Sequence, residues 1–284
     1  MKKFGILGYP LGHTLSPQIH TRLFELCGHN EEYKIYEVPS SALNDFASGF
    51  RSFAAINVTI PHKVEVMRFL DELDESAQRC SAVNLITVKN GRLCGYNTDC
   101  YGFAKTAAEL GAGLDKSVCV LGAGGVGRMF AEEAALNGGA VTLAVRAEGL
   151  ADAEQVKRGI CEQNKKANVR IVEISRLQTL DEDFNLLINA TPVGMYPHTA
   201  ASPVSAAFLP HCRFVFDAVY NPTETTLLRE AKAAGCTVTG GIAMLVWQAV
   251  RAHEIYDGSQ YKTEDIKELI KDMTELLAKK QTEA

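Results

Sequence analysis

The chain has 284 residues, of which 46% are hydrophobic and 22% charged, and its formal net charge is −5. That length predicts about two domains, and the composition excludes a disordered chain. The negative charge argues against nucleic acid or an anionic membrane as the main partner. No apolar run reaches the roughly 18 residues of a membrane helix, and the short run after Met1 is too broken for a signal peptide. Eight scattered cysteines predict reduced thiols in a cytoplasmic protein.

The first hundred residues alternate short apolar runs with helical patterns. Asn90 and Gly91 form the dipeptide that most strongly predicts a β-hairpin turn. Ser16 is predicted to cap a helix that has Pro17 at its first position. The elements predicted here, in chain order, are a strand at 4–7, a helix at 17–26, strands at 34–38 and 55–58, a helix at 63–73, and paired strands at 85–89 and 92–95.

From Asp99 onward the pattern becomes a regular alternation of strands and helices. The predicted elements are a helix at 101–110, a strand at 117–121, a helix at 128–137, strands at 140–145, 169–174, 186–189, 214–218 and 237–239, and helices from 244 to the end. Such alternation is typical of a parallel sheet with helices on both faces. The sequence therefore predicts an α/β fold, in which the last helices pack back on the first domain.

A glycine-rich loop follows the strand predicted at 117–121 and opens the next helix. The loop residues are Gly122, Ala123, Gly124, Gly125, Val126 and Gly127, in the pattern G-x-G-x-x-G. The first glycine permits a tight turn, the second admits a pyrophosphate, and the third allows close packing of helix and strand. The N-terminus of the helix would stabilise the phosphate charge. These residues are candidates for a dinucleotide site.

The end of the next strand bears on the choice of dinucleotide. NAD sites usually carry an acidic residue here, about 20 residues beyond the loop, to bind the ribose hydroxyls. This chain has Arg146 instead, whose guanidinium suits a 2′-phosphate, so NADP is favoured. Glu148 lies close by and could become a ribose ligand, which leaves NAD possible.

Further motifs run along almost the whole chain. They are G-x-P-x-x-x-S-x-S-P-x-x-H at 8–20 (with Thr14 in place of the first serine), N-V-T-x-P-x-K at 57–63, A-x-N at 82–84, G-x-N-T-D at 95–99, N-A-T-x-x-G-M at 189–195, D-x-x-Y-x-P at 217–222 and G-x-G-M-L-x-x-Q at 241–248 (with Ala243 in place of the second glycine). In this order they resemble the motifs of the shikimate dehydrogenase family.

The resemblance implies a fold, an organisation and a reaction. The fold is an N-terminal α/β substrate domain plus a Rossmann-type, doubly wound nucleotide-binding domain, with the active site in the cleft between them. The implied domains are 1–100 with 242–284 for substrate, and 101–241 for NADP. The implied reaction is the NADP-linked, reversible reduction of 3-dehydroshikimate to shikimate, on the route to chorismate and aromatic amino acids.

Residue roles also follow from the resemblance. Lys63 and Asp99 are the implied catalytic pair, because reduction of a ketone needs a proton for the developing alkoxide. The implied substrate ligands are Thr14, Ser16 and Tyr220 for the carboxylate, and Thr59, Asn84, Asp99 and Gln248 for the ring hydroxyls. Cofactor contacts are expected, besides the glycine loop and Arg146, at Thr191, Ala218 and Gly241.

Departures from the family pattern keep alternatives open. Thr14 adds a methyl group near the expected carboxylate, the usual N-R-T cofactor turn has become Val145-Arg146-Ala147, and Ala243 replaces a glycine. One alternative is a quinate/shikimate dehydrogenase that uses NAD, and another is a non-catalytic protein that binds pathway metabolites. His13, His20 and His62 lie in different contexts without acidic partners, so no metal is expected. The chain is expected to be a monomer or a homodimer.

Overall fold

The computed structural model describes residues 2–12 and 14–282, which form two compact units. The first unit comprises Met1–Gly102 and Leu245–Met273, and the second comprises Phe103–Met244 and Thr274–Ala284. The borders lie two and three residues from the predicted domain boundaries at 100 and 241. The segment 274–284, expected with the first domain, is grouped with the second unit. His13 lies outside the described residues.

The first unit is built around a mixed six-stranded sheet in the order β2-β1-β3-β5-β6-β4. Its strands are β1 (Phe4–Gly8), β2 (Tyr33–Glu37), β3 (Ala55–Val58), β4 (Glu72–Leu73), β5 (Leu85–Lys89) and β6 (Arg92–Tyr96). Its helices are α1 (Ser16–Leu26), α2 (Leu43–Ala47), α3 (Glu75–Cys80) and the start of α4 (Asp99–Leu110). Strands β1, β2 and β3 are parallel, whereas β5 is antiparallel to both β3 and β6.

Apolar side chains explain how this sheet is covered. Leu7, Ile56 and Val58 from β1 and β3 are buried in a core with Phe50. Helix α1 buries Ile19, Leu23 and Phe24 at helical spacing, so one stripe of the helix is removed from water. This burial fixes the ends of β1 and β3, from which the candidate site residues follow.

Two predictions for the first unit were wrong and one is confirmed. The helix predicted at 63–73 is a short 3-10 helix, Glu65–Phe69, followed by β4, because residues 72–73 pair with β6. Ser16 does not cap α1: it is the first helical residue, and Leu15 stands at the N-cap without a side-chain bond. The turn between β5 and β6 is confirmed, with φ of 52° at Asn90 and 77° at Gly91.

The second unit contains a six-stranded sheet in the order β12-β11-β10-β7-β8-β9, and all of its pairings are parallel. Its strands are β7 (Ser117–Leu121), β8 (Ala140–Val145), β9 (Asn168–Glu173), β10 (Phe184–Asn189), β11 (Cys212–Asp217) and β12 (Thr237–Gly240). The helices are α5 (Gly125–Leu136), α6 (Leu150–Gln163) and α7 (Thr226–Ala233). Helices α8 (Gly241–Tyr256) and α9 (Thr263–Thr282) each cross a border between the units.

The strand order of the second unit confirms the predicted Rossmann-type sheet. Chain order runs outward from β7 through β8 to β9, and then restarts on the other side with β10. Ligands of such sheets bind at the carboxyl ends of the strands where this order reverses, here between β7 and β10. The glycine loop leaves β7 at that point. No helix among the described residues is long and apolar enough to span a membrane.

Candidate active site

The first cluster of polar side chains is centred on Lys63, which follows β3. The backbone carbonyl of Lys63 accepts a hydrogen bond of 2.7 Å from the Val83 amide, so the segment is held against the chain before β5. Its ammonium nitrogen, Nζ, lies 2.6 Å from Oδ2 of Asp99. The side chains are 26% and 18% exposed, so both charges are partly removed from water.

Asp99 is the first residue of α4, and neighbouring amides fix its position. Its backbone N–H donates to Oδ1 of Asn97 at 3.0 Å. Its second carboxylate oxygen, Oδ1, accepts from Nδ2 of Asn84 at 2.9 Å. The side-chain amide of Asn84 therefore holds one oxygen of the carboxylate, and the Lys63 ammonium contacts the other. This arrangement fixes the orientation of the Lys63 side chain.

Asn84 connects this pair to Gln248 on α8. Oδ1 of Asn84 accepts from the Thr98 backbone N–H at 2.7 Å, and the Thr98 hydroxyl donates to Oε1 of Gln248 at 3.3 Å. Nε2 of Gln248 in turn donates to the Leu245 carbonyl at 2.8 Å. Asn84, Thr98 and Gln248 are buried. The structure thus brings together four predicted site residues, at positions 63, 84, 99 and 248, all within the first unit.

Thr14, Ser16 and Thr59 belong to the same unit but make different contacts. The Thr14 hydroxyl donates to Oγ of Ser16 at 3.1 Å and accepts from the Ser16 backbone N–H at 3.2 Å. Thr59 lies beside the end of β1, where its N–H donates to the Leu7 carbonyl at 2.8 Å. Within the described ranges, no hydrogen bond joins these three residues to the cluster of Lys63 and Asp99.

The glycine loop of the second unit is shaped by close backbone contact. Gly122 has φ of 96°, a conformation that L-residues with side chains rarely adopt. A Cβ atom on Gly127 would lie 2.1 Å from the Gly122 carbonyl oxygen, whereas Cβ atoms on Gly124 and Gly125 would meet nothing within 4 Å. The first and third glycines therefore close the turn, and the open side at Gly124 and Gly125 leaves the start of α5 accessible to a phosphate. Ala123 and Val126 lie in the same loop, and Val126 is exposed.

The remaining predicted cofactor contacts line the ends of β10, β11 and β12. The methyl carbon of Thr191 would touch a Cβ on Gly122 at 2.9 Å, so Thr191 adjoins the glycine loop. The Ala218 N–H donates to the Asn189 carbonyl at 3.0 Å, and a Cβ on Gly241 would lie 2.3 Å from the Ala218 carbonyl oxygen. Tyr220 follows β11 in this unit, and burial raises the pKa of its phenol.

A buried carboxylate that sequence reasoning did not single out holds these strand ends together. Asp217 accepts from Nδ2 of Asn189 at 2.9 Å, from the Val219 N–H at 3.0 Å and from the Thr225 hydroxyl at 2.6 Å. Burial raises the pKa of Asp217 to about 6, although these hydrogen bonds act in the opposite direction. Oδ1 of Asn189 also accepts from the Thr191 N–H at 3.0 Å.

Three polar residues of the first unit were missed in the same way. Asn97 and Thr98 bond directly to Asp99, Asn84 and Gln248, and Asn57 receives a 2.9 Å hydrogen bond from the buried Tyr33 hydroxyl. All of them lie inside the motifs quoted above. A search of those motifs for amides and hydroxyls adjacent to a candidate catalytic residue would have found Asn97 and Thr98.

Arg146 follows β8 on the surface of the second unit. It is 79% exposed, and its Nε lies 3.1 Å from Oε1 of Glu148, which is 67% exposed. Arg146 and the glycine loop are close in the sheet, because the Gly122 N–H donates to the Ala144 carbonyl at 2.9 Å. Among the described residues, no group of three or more histidine, cysteine and acidic side chains could hold a metal.

Comparison with known proteins decides the family. A family model for the shikimate dehydrogenase substrate binding domain matches residues 6–86. A protein of Methanocaldococcus jannaschii named shikimate dehydrogenase (NADP(+)) is 36% identical over 276 residues, which cover 95% of this chain and 96% of the relative. The chain belongs to the shikimate dehydrogenase family.

Solved structures of family members agree with the fold. Shikimate 5-dehydrogenase of Thermus thermophilus, in complex with NADP(H) and shikimate, is 34% identical with a TM-score of 0.83, over 96% of this chain and 99% of that one. The enzyme of Listeria monocytogenes, in complex with shikimate and NAD, is 30% identical with a TM-score of 0.85, over 95% and 96% of the two chains. The similarity therefore spans both units and both sheets.

Proposed function

We propose that this chain is an NADP-linked shikimate dehydrogenase, which reversibly reduces 3-dehydroshikimate to shikimate on the route to chorismate and aromatic amino acids. The observation that carries the proposal is the 2.6 Å contact between Lys63 and Asp99, braced by Asn84. This cluster occurs in a chain whose relatives over nearly the full length are named for that reaction.

The glycine loop fits a dinucleotide. Gly122 and Gly127 close the turn by backbone contact, and Gly124 and Gly125 leave room for a pyrophosphate at the start of α5. Thr191, Ala218 and Gly241 at the neighbouring strand ends are further proposed contacts. When bound, the dinucleotide supplies or accepts the hydride of the reaction.

Lys63 supplies the proton that ketone reduction requires. In the direction of reduction its ammonium gives a proton to the oxygen that becomes the alcohol, and in the reverse direction the neutral amine takes that proton back. Asp99 and Asn84 keep the amine pointed in one direction, which limits the geometries that must be searched before transfer. Thr59, Asn84 and Gln248 suit ring hydroxyls because each offers a neutral donor or acceptor. Thr14, Ser16 and Tyr220 remain predicted ligands of the carboxylate.

A second candidate function is oxidation of quinate with NAD. The observation that favours it is the engagement of the Thr14 hydroxyl with Ser16, because this contact fixes a side chain that carries one methyl group more than serine. Quinate has an additional ring hydroxyl and lacks the ring double bond of shikimate. A changed volume next to the carboxylate would therefore alter the choice between the two acids.

Initial rates of nicotinamide reduction test these functions at a pH near 8. The four combinations are shikimate or quinate with NADP or NAD. We expect the highest kcat/KM for shikimate with NADP. A higher value for quinate with NAD would replace the proposal by its alternative. No turnover in any combination would leave a protein that binds pathway metabolites without converting them.

The proposal includes a cytoplasmic location and a monomeric or homodimeric state. All eight cysteines are free thiols, which suits a reducing compartment. Light scattering of the purified chain, with and without NADP and shikimate, would distinguish the two oligomeric states.

A further inference from the structure

The turn after β8 contains an ion pair at the strand end that binds the adenosine ribose in Rossmann-type sheets. Arg146 is the first residue after the strand, and a 3-10 helix, Ala147–Gly149, follows it. The Gly149 N–H donates a 2.9 Å hydrogen bond to the Arg146 carbonyl, which closes this turn. This tight turn places the Glu148 carboxylate 3.1 Å from the Arg146 guanidinium. Both groups reach into solvent and are free to meet a ligand.

The position of the turn relative to the glycine loop identifies which part of a dinucleotide it would meet. Strands β7 and β8 are neighbours, with Leu121 opposite Ala144, and Gly122 bonds to the carbonyl of Ala144. Arg146 is therefore two residues beyond the β8 residue that anchors the loop. In a Rossmann-type sheet this strand end faces the adenosine ribose, whose 2′ position is a hydroxyl in NAD and a phosphate in NADP.

The charged residues around Arg146 are mostly acidic, and they favour a 2′-hydroxyl over a 2′-phosphate more than an arginine without acidic neighbours would. Arg146 is the single basic residue between 140 and 156, and three acids, Glu148, Asp152 and Glu154, lie in that stretch. On the neighbouring strand, Glu173 pairs with Val145. A 2′-phosphate carries a charge of about −1.5 to −2, so it would have to displace Glu148 from Arg146 and tolerate the remaining carboxylates.

We propose that Glu148 is a selectivity residue of the dinucleotide site and narrows the preference for NADP over NAD. Its carboxylate pairs with the Arg146 guanidinium, to which a 2′-phosphate would have to bind. The same carboxylate can accept a hydrogen bond from the 2′-hydroxyl of an unphosphorylated ribose. This inference rests on the proposed function only in taking a nicotinamide dinucleotide as the ligand. It assigns to Glu148 a role opposite to that of Arg146.

Calorimetric dissociation constants for NADP and NAD test the proposal without turnover. For the full chain we expect the two Kd values to lie within about tenfold of each other. An exposed ion pair is worth up to about 1 kcal/mol. Glu148→Gln should therefore lower the Kd for NADP by about fivefold and raise the Kd for NAD. Arg146→Gln should raise the Kd for NADP and change the Kd for NAD by less than about twofold.

The double variant and a control show whether Glu148 acts through Arg146. In a chain that already carries Arg146→Gln, Glu148→Gln should still lower the Kd for NADP, but the fold-change should be half or less of that seen when Arg146 is present. Glu162→Gln removes the same charge from an exposed position near the far end of α6, and it should leave the ratio of the two Kd values unchanged. Equal effects of Glu148→Gln on both dinucleotides, or the same change with Glu162→Gln, would overturn the proposal.

The outcomes also separate this inference from the proposed function. If neither dinucleotide supports shikimate oxidation, the proposed function fails, whereas opposite shifts in the two Kd values would still support the role of Glu148. If shikimate is oxidised but Glu148→Gln leaves the ratio unchanged, the role of Glu148 fails alone. Failure of the folded chain to bind either dinucleotide would contradict both.

Discussion

The two units present their candidate sites by different physical means. In the first unit the cluster of Lys63, Asn84 and Asp99 depends on side-chain groups that bond to one another before any ligand arrives. In the second unit the turn of the glycine loop depends on the absence of a side chain at Gly127, because the Gly122 carbonyl oxygen fills the space that its Cβ would need. The first site should therefore fail when atoms are removed, and the second when atoms are added.

The largest effect on stability is expected from adding one methyl group to the glycine loop. Gly127→Ala would bring a Cβ to 2.1 Å from the Gly122 carbonyl oxygen, and the backbone must move to relieve this contact. We expect the free energy of unfolding to fall by about 3 kcal/mol or more, because overpacking against backbone exceeds the usual cost in a core. Urea denaturation measures the change.

Gly125→Ala is the matched control for that change. It adds the same methyl group at the first residue of α5, where nothing lies within 4 Å, and alanine favours a helix. Its stability should stay within about 1 kcal/mol of the parent chain. Equal stability of the two variants would contradict a loop closed by contact between its first and third glycines.

The next effect is expected from changing a group in the first unit without changing its size. Asp99→Asn keeps an oxygen for Asn84 but loses the negative charge that holds the Lys63 ammonium at 2.6 Å. We expect kcat for shikimate oxidation to fall by about 100-fold, equivalent to about 2.7 kcal/mol. Asp45→Asn on the exposed face of α2 makes the same exchange and should leave kcat unchanged. Full activity of Asp99→Asn would remove Asp99 from the catalytic pair.

The pH dependence of stability should also differ between the units. In the first, burial lowers the pKa of His20 to about 3 and that of His253 to about 2, and the two rings share a 3.0 Å hydrogen bond. Below about pH 6.5 these two histidines bind protons in the unfolded chain but stay neutral in the folded chain. Each histidine should therefore lower the free energy of unfolding by about 2 kcal/mol between pH 7 and pH 5.

Asp217 in the second unit should act with the opposite sign. Its raised pKa of about 6 means that the folded chain takes up this proton before the unfolded chain does, so stability is gained as the pH falls from 7 to 5, by about 1 kcal/mol. Urea denaturation at both pH values should show a shallower loss for His20→Gln and a steeper loss for Asp217→Asn. A change in the same direction for both variants would contradict these assignments.

The sequence predicts the glycine loop and the parallel sheet well because their signals are local. A strand, G-x-G-x-x-G and a helix are consecutive, and the alternation after Asp99 gives the sheet that carries them. By contrast, the segment at 63–73 has a helical pattern but forms a 3-10 helix and a strand, because pairing of β4 with β6 outweighs local propensity.

Hydrogen bonds between side chains that are distant in the sequence could not be predicted from local sequence patterns. The bond between Thr98 and Gln248 joins residues 150 positions apart, and no pattern in either segment gives its distance. For Arg146 and Glu148 the reason is different: the two residues are close in the sequence, but the sequence does not show whether their side chains pair. The substrate roles of Thr14, Ser16, Thr59 and Tyr220 stay predictions.

The most direct measurement combines turnover and binding for Lys63→Ala. The central claim is that Lys63 transfers the proton while the rest of the cluster binds substrate. We predict that kcat for shikimate oxidation with NADP falls by about 10³ to 10⁴, whereas the urea midpoint and the calorimetric Kd for shikimate stay close to those of the parent chain. Unchanged turnover in the folded variant would contradict the claim.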